Sequence, residues 1–326
     1  MNLQQQERDC IHCGTCTSRC EFLNKYQLDL GDIAGLSKQL YHCFLCGDCK
    51  VQCPKQIDGR EIILNLRQKE VEKNHGTIQE RGYDMLIKEK SDYIFRNYKH
   101  VTSGSVLFPG CNFPSFYPKT TKMLMQLLKE KAGIGTIFDC CGKPISELGL
   151  KKEEERIINE LNDRLESKGV QEIIMLCPNC YYFLQPRLKV KVISIFEVLH
   201  RLQLGNKIES QEINIFTPCP DKAQKLWQKE MNMYLPNTVN QIEGVACCGL
   251  GGCARAKEPE ISKGFSDEIR KRNYTNVYTY CASCAGKLTR DGCESVHHVL
   301  VDILGMQEEK PDIQKSMINR AKTKFW

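Results

Sequence analysis

The chain has 326 residues, of which 41% are hydrophobic and 26% charged, and a formal net charge of +6. That length allows two or three domains with a hydrophobic core, and the composition excludes a disordered or fibrous chain. The surplus of Lys and Arg is spread over stretches such as "KLWQKEM" and "EIRKRN", which reads as solvated surface or a docking patch for an acidic redox partner, with no nucleic-acid partner.

In chain order, the opening "MNLQQQERDC" lacks the apolar core of a signal peptide, and no apolar run nears the 18 residues of a membrane span. The expectation is a cytoplasmic protein, held at most peripherally at the inner face of the membrane by a partner. Thiols stay reduced there, so twenty cysteines point to metal, not to disulfides. Cys10, Cys13, Cys16 and Cys20 form C-x2-C-x2-C-x3-C, and Cys43, Cys46, Cys49 and Cys53 repeat it, with Pro54 following. This is the run that holds cubane iron–sulfur clusters, in which the fourth cysteine serves the other cluster. By that rule Cys10, Cys13, Cys16 and Cys53 hold one cube, and Cys43, Cys46, Cys49 and Cys20 hold the second. Glu21 stands where proline is usual, which removes no ligand. Zinc also accepts four thiolates, but zinc ribbons use two C-x2-C pairs. The intervening "EFLNKYQLDLGDIAGLSKQL" looks helical, so residues 1–75 resemble the alpha-helical ferredoxin module of multi-subunit oxidoreductases. Ile62, Ile63 and Leu66, then Met85, Leu86 and Ile87, show helical spacing. Two helices are expected there, with 76–100 as a helical linker.

After Val101, short apolar runs alternate with amphipathic helical ones, as in an α/β layer. The runs align in two copies: "SVLFPGC" with "INIFTPC", "GTIFDCCG" with "IEGVACCG", "EIIMLCPNC" with "NVYTYCASC", and "VISIFEVLHRL" with "SVHHVLVDILG". The cysteine landmarks are offset by 108, 107 and 104 residues, the mark of a duplicated unit. Each copy reads strand–helix–strand–helix–strand–helix, with helices in "YPKTTKMLMQLLKE" and "KKEEERIINELNDRLESKG", then in "DKAQKLWQKEM" and "EPEISKGFSDEIRKRN". The units are set at 101–205 and 206–305, followed by a basic tail at 306–326 that is read as mobile or partner-docking.

Each landmark cysteine ends an apolar run, and in parallel α/β sheets ligands bind beyond the carboxyl ends of the strands. Cys111, Cys140, Cys141, Cys177 and Cys180 should therefore converge on one site, and Cys219, Cys247, Cys248, Cys281 and Cys284 on another. Five thiolates are one too many for zinc or a simple cube. Adjacent cysteines cannot share one face of a strand, and Gly142 and Gly249 supply the turn they need.

This doubled Cys-Cys-Gly pattern behind two ferredoxin runs resembles the D-type subunit of heterodisulfide reductase. It also resembles the related iron–sulfur subunits of glycolate oxidase, lactate-utilisation complexes and anaerobic glycerol-3-phosphate dehydrogenase. The resemblance implies an α+β chain: an N-terminal alpha-helical two-cluster ferredoxin module followed by a duplicated α/β CCG domain. It implies two cubane and two noncubane 4Fe–4S clusters, the noncubane pair facing each other across a cleft where a small-molecule disulfide is split. Implied partners are a flavoprotein or other redox subunit and a membrane cytochrome or quinone. The enzyme reading is thus a heterodisulfide reductase-like subunit, with the noncubane clusters themselves as the catalytic groups. The alternative is a non-catalytic electron-transfer subunit linking a flavin dehydrogenase, of the 2-hydroxy acid or glycerol-3-phosphate type, to a quinone or other carrier. The family often carries a histidine after the second copy's first cysteine, and here Pro220 stands there. No obvious substrate-binding group of Arg or Lys stands out. Cys253 reads as a loop thiol, Cys293 as structural, His12 and His42 as tuning cluster solvation, and His297 and His298 as exposed or core-satisfied. No Rossmann fingerprint or P-loop is present, so no flavin or nucleotide is expected on this chain.

Overall fold

The computed structural model describes residues 8–326. The first seven residues, most of the stretch read for a leader and the start of the 1–75 segment, lie outside the described residues. The fold is mixed, 50% helix and 12% strand. Among the described residues no helix is long and apolar enough to cross a membrane.

Up to residue 96 the described chain is helical or irregular. Short helices Thr15–Arg19, Glu21–Tyr26, Ile33–Ser37 and Asp48–Gln52 precede the longer Gly59–Lys73. Asp58 caps that helix by accepting the Arg60 N–H at 3.0 Å. Ile62, Ile63 and Leu66 then pack with Phe22, Leu23 and Leu36 into a core of their own. The expected linker helix is Asp84–Ser91, but the linker ends in strand β1, Asn97–His100. It pairs antiparallel with β3 (Gly135–Phe138) at the sheet edge. Its polar sequence, "NYKH", carries no apolar alternation that could have revealed a strand.

Two parallel sheets follow. In the first, β3 lies beside β2 (Gly104–Phe108), then β4 (Val170–Met175) and β5 (Lys191–Ser194). In the second, β7 (Thr238–Gln241) lies beside β6 (Glu212–Ile215), then β8 (Val277–Thr279) and β9 (Val296–His298). Leaving out β1, the two orders are the same, so the duplication extends to topology. Two elements of the second copy differ from expectation. The strand read in "IEGVACCG" lies earlier, at Thr238–Gln241, and Ile242–Gly249 has no strand. The helix read in "DKAQKLWQKEM" shrinks to Leu226–Glu230 behind a 3-10 turn at Cys219–Asp221. The buried Asp221 carboxylate accepts the N–H groups of Trp227 (3.3 Å) and Gln228 (3.2 Å), so it caps a helix that starts later.

The tail packs against the rest of the fold. Helix Ser316–Lys322 lies against the first half, where the Asn319 amide donates to the Ser115 carbonyl at 3.2 Å. The Asn97 amide donates to the carbonyls of Thr323 and Trp326, each at 2.8 Å, and the Trp326 ring sits edge-on to Phe138. The helical segment is bound to the sheets by Arg67, which is fully buried. Its guanidinium donates to the carbonyls of Leu40 (2.9 Å), Cys43 (3.1 Å), Gly252 (2.9 Å) and Glu147.

Candidate metal centre

The two N-terminal cysteine runs form one loop twice. In each, the residue before the second cysteine (His12, φ 49°; Leu45, φ 52°) and the glycine after it (Gly14, φ 72°; Gly47, φ 75°) are left-handed. One small cavity is lined by Cys10, Cys13, Cys16 and Cys53. Another is lined by Cys20, Cys43, Cys46 and Cys49. Cys20 and Cys53 thus each stand at the other run's cavity.

The ten remaining landmark cysteines gather beyond the strand ends. Neighbouring cysteine side chains interact in pairs: Cys111 with Cys140, Cys140 with Cys141, Cys141 with Cys180 and Cys180 with Cys177. In the second half the pairs are Cys219 with Cys247, Cys247 with Cys248, Cys248 with Cys284 and Cys284 with Cys281. The two groups meet where Cys177 interacts with Cys281. Cys46 interacts with Cys247, so the line of thiols runs from the helical segment through the second half to the first. Contacts with Cys140 and then Cys180 draw Cys141 down to about 5, and contacts with Cys177 and then Cys284 hold Cys281 far below the usual thiol range. Gly249 is left-handed (φ 83°), and a Cβ there would lie 2.5 Å from the Ser262 carbonyl oxygen. Only glycine lets the chain turn this tightly behind Cys247 and Cys248.

A family model described as a cysteine-rich domain, CCG, matches residues 105–185 and again residues 213–289. The chain carries the CCG domain twice. It is 24% identical to an uncharacterised iron–sulfur protein of Methanococcus maripaludis over 83% of its own length, and spans 63% of that relative. It is 20% identical to the D-type subunit of the dihydromethanophenazine:CoB–CoM heterodisulfide reductase of Methanosarcina mazei, over 94% of this chain and 95% of that one. It is also 24% identical to an EtfAB:quinone oxidoreductase of Syntrophomonas wolfei, over 78% of this chain and 43% of that protein.

The donor set of both CCG domains suits an iron–sulfur group. The cysteines are free, and soft thiolates packed in contact repel unless they share cations. Among the buried polar atoms without a hydrogen-bond partner are two on rings that adjoin across the domains, Tyr117 Oη from the first CCG domain and His298 Nε2 from the second half. His298 Nδ1 accepts the Leu300 N–H at 3.2 Å, which leaves the proton on Nε2. Burial pushes its pKa down to about 4, so the ring is neutral.

The remaining residues separate cleanly. His297 is stacked on Tyr278 and lies 3.6 Å from Asp302. His12 bonds Asp29 at 2.8 Å, and His42 bonds Glu258 at 2.6 Å. Cys253 packs with the core of the helical segment, and Cys293 is buried 3.6 Å from the Ser266 carbonyl. The tertiary structure also assembles what could not be read from the sequence. A groove beside Cys219 and Pro220 is lined by Asn179, Lys143, Arg187 and Arg60, together with Asp58, Glu61 and Glu147. The first four come from three helices and the turn after Leu184, and no local motif links them. Burial works against the charge of Lys143, but Glu147, Cys219 and Cys141 hold it protonated.

Proposed function

We propose that this chain is an electron-transfer iron–sulfur oxidoreductase subunit that delivers electrons to a disulfide in the groove beside Cys219. The observation that carries this reading is the unbroken line of cysteine contacts from Cys46 through Cys247 and Cys281 to Cys111. Cys10, Cys13, Cys16 and Cys53, and Cys43, Cys46, Cys49 and Cys20, would each hold a cubane cluster. The five cysteines of each CCG domain would hold a noncubane one. Such clusters supply one-electron transfer and, at the noncubane pair, iron atoms able to hold the two sulfurs of a cleaved disulfide. Lys143 reaches both domains' cysteines, since it follows Cys141 in sequence and lies close to Cys219. It would balance thiolate charge as the disulfide opens, and Asn179 would present an amide at the seam. The partners proposed are a flavoprotein or other redox subunit and, through it, a membrane cytochrome or quinone.

One observation favours a second reading. Pro220 lines the groove at the position where a proton-carrying histidine is usual in the family, which suits a carrier without a substrate of its own. The test is a spectroscopic titration of the anaerobically purified, reduced chain with small-molecule disulfides. Reoxidation in proportion to added disulfide supports the reductase, and inertness to disulfides with rapid reoxidation by a quinone supports the carrier.

A further inference from the structure

The two CCG domains have the same strand order but different surroundings. The first is covered by two segments outside the duplicated unit, the helix Asp84–Ser91 and the tail helix Ser316–Lys322. Each contributes one cation, Lys90 buried and Arg320 largely so, its side chain 12% exposed. Lys90 is only 5% exposed, its ammonium 2.8 Å from Glu89 and 5.3 Å from the centre of the Tyr93 ring. Arg320 uses its whole fork: Nε donates to Ser115 Oγ at 3.0 Å, Nη1 to Glu89 at 2.7 Å, and Nη2 to Asn112 Oδ1 at 2.7 Å. Asn112 follows Cys111, and the Ser115 hydroxyl in turn donates to the Cys111 carbonyl at 2.7 Å. The tail thus ends in a clamp on the loop that carries Cys111. One carboxylate serves two cations, which leaves a net positive charge buried there. A buried uncompensated charge is expensive unless an anion lies nearby. The groups of opposite sign that face these cations, besides Glu89, are the cysteines: Cys111 and Cys140 for Lys90, and Cys111 for Arg320.

We infer that Lys90 and Arg320 are positioning residues that raise the reduction potential of the iron–sulfur group at the first CCG domain, and that the C-terminal tail is part of that site. The inference rests on the proposed ligand role of Cys111, Cys140, Cys141, Cys177 and Cys180. Reduction adds negative charge to a cluster, and a fixed cation in a low-dielectric setting favours the more negative state. Both cations come from outside the repeat, so the duplication does not supply their equivalents at the second site.

The experiment is an EPR-monitored redox titration of the full-length chain carrying Cys248→Ser, which leaves the first site as the only intact five-cysteine group. Arg320→Gln should shift the one-electron reduction equilibrium about tenfold toward the oxidised form, which is 59 mV. Arg320→Lys, which keeps the charge, should stay within threefold of the parent. Glu89→Gln removes the shared anion and should move the potential in the opposite direction. It also provides a second test if the arginine variant loses iron. An Arg320→Gln chain that retains its iron but titrates at the parent potential would overturn the inference, as would a Glu89→Gln shift toward the oxidised form. Absence of iron at the first site of the unsubstituted chain, seen by Mössbauer spectroscopy, would instead overturn the functional reading and this inference together.

Discussion

The side-chain amide of Asn179, in the first CCG domain, lies 3.5 Å from the Cys281 sulfur, in the second. A second bond in the same direction runs from the Asn112 amide to the Ser283 hydroxyl at 2.6 Å. The first half therefore supplies both donors, each beside one of its own cysteines. Asn179→Leu keeps the volume but removes the donor. A hydrogen bond to sulfur stabilises the more negative state, so the second site's potential should fall, by about the 0.5–1.5 kcal/mol of a net hydrogen bond. An EPR redox titration checks this, with iron content unchanged.

Metal content separates the cysteine groups. With four irons per cluster, the anaerobic chain should hold roughly 16 irons. Cys141→Ser and Cys248→Ser should each lower this to roughly 12 and remove a different noncubane Mössbauer component, while the cubane signals remain. Iron near half the full value in the unsubstituted, reconstituted chain would rule out the noncubane pair.

Arg67 donates to four backbone carbonyls, two within the helical segment (Leu40, Cys43) and one in each CCG domain (Glu147, Gly252), and so ties the three together. Arg67→Met leaves buried acceptors unpaired and should cost about 3 kcal/mol or more. Lysine should not rescue it, because one ammonium cannot span a fork of acceptors. Anaerobic urea unfolding of the loaded chain measures the loss.

Glu258 is buried and accepts from Lys25 (2.7 Å), Tyr26 (2.7 Å) and His42 (2.6 Å). Burial works to raise its pKa, but the bonds from Lys25, Tyr26 and His42 win and hold it below the ordinary value of 4.5. A depressed carboxylate pKa contributes stability that is full above the unfolded value and lost as pH falls through the folded one. The contact between the helical segment and the second CCG domain should therefore weaken below about pH 4.5. Glu258→Gln should flatten that acid limb in melts recorded across pH.

The strand order of the second sheet was legible in the first, because a duplicated pattern of apolar runs and cysteines repeats in the sequence whatever surrounds it. The cysteines that the tertiary structure gathers were also legible, since their spacing is local. Spacing of two and three residues sets loop geometry directly, and a cysteine at a strand end has only the crevice beyond it. Strand β1 and the shift of β7 were not legible, because "NYKH" and "TVNQ" are polar edge strands recruited by neighbours, not by their own periodicity. Nor was the groove, since Arg60, Lys143, Asn179 and Arg187 share no periodicity. The tail shows the limit most clearly. Its composition reads as a basic end, mobile or partner-docking, and only the fold shows Arg320 packed against Glu89, Asn112 and Ser115. A charged side chain is buried when partners far along the chain satisfy its donors. That pairing is a property of the packed whole, so sequence alone determined the cysteine groups, and tertiary structure decided which cations stand beside them.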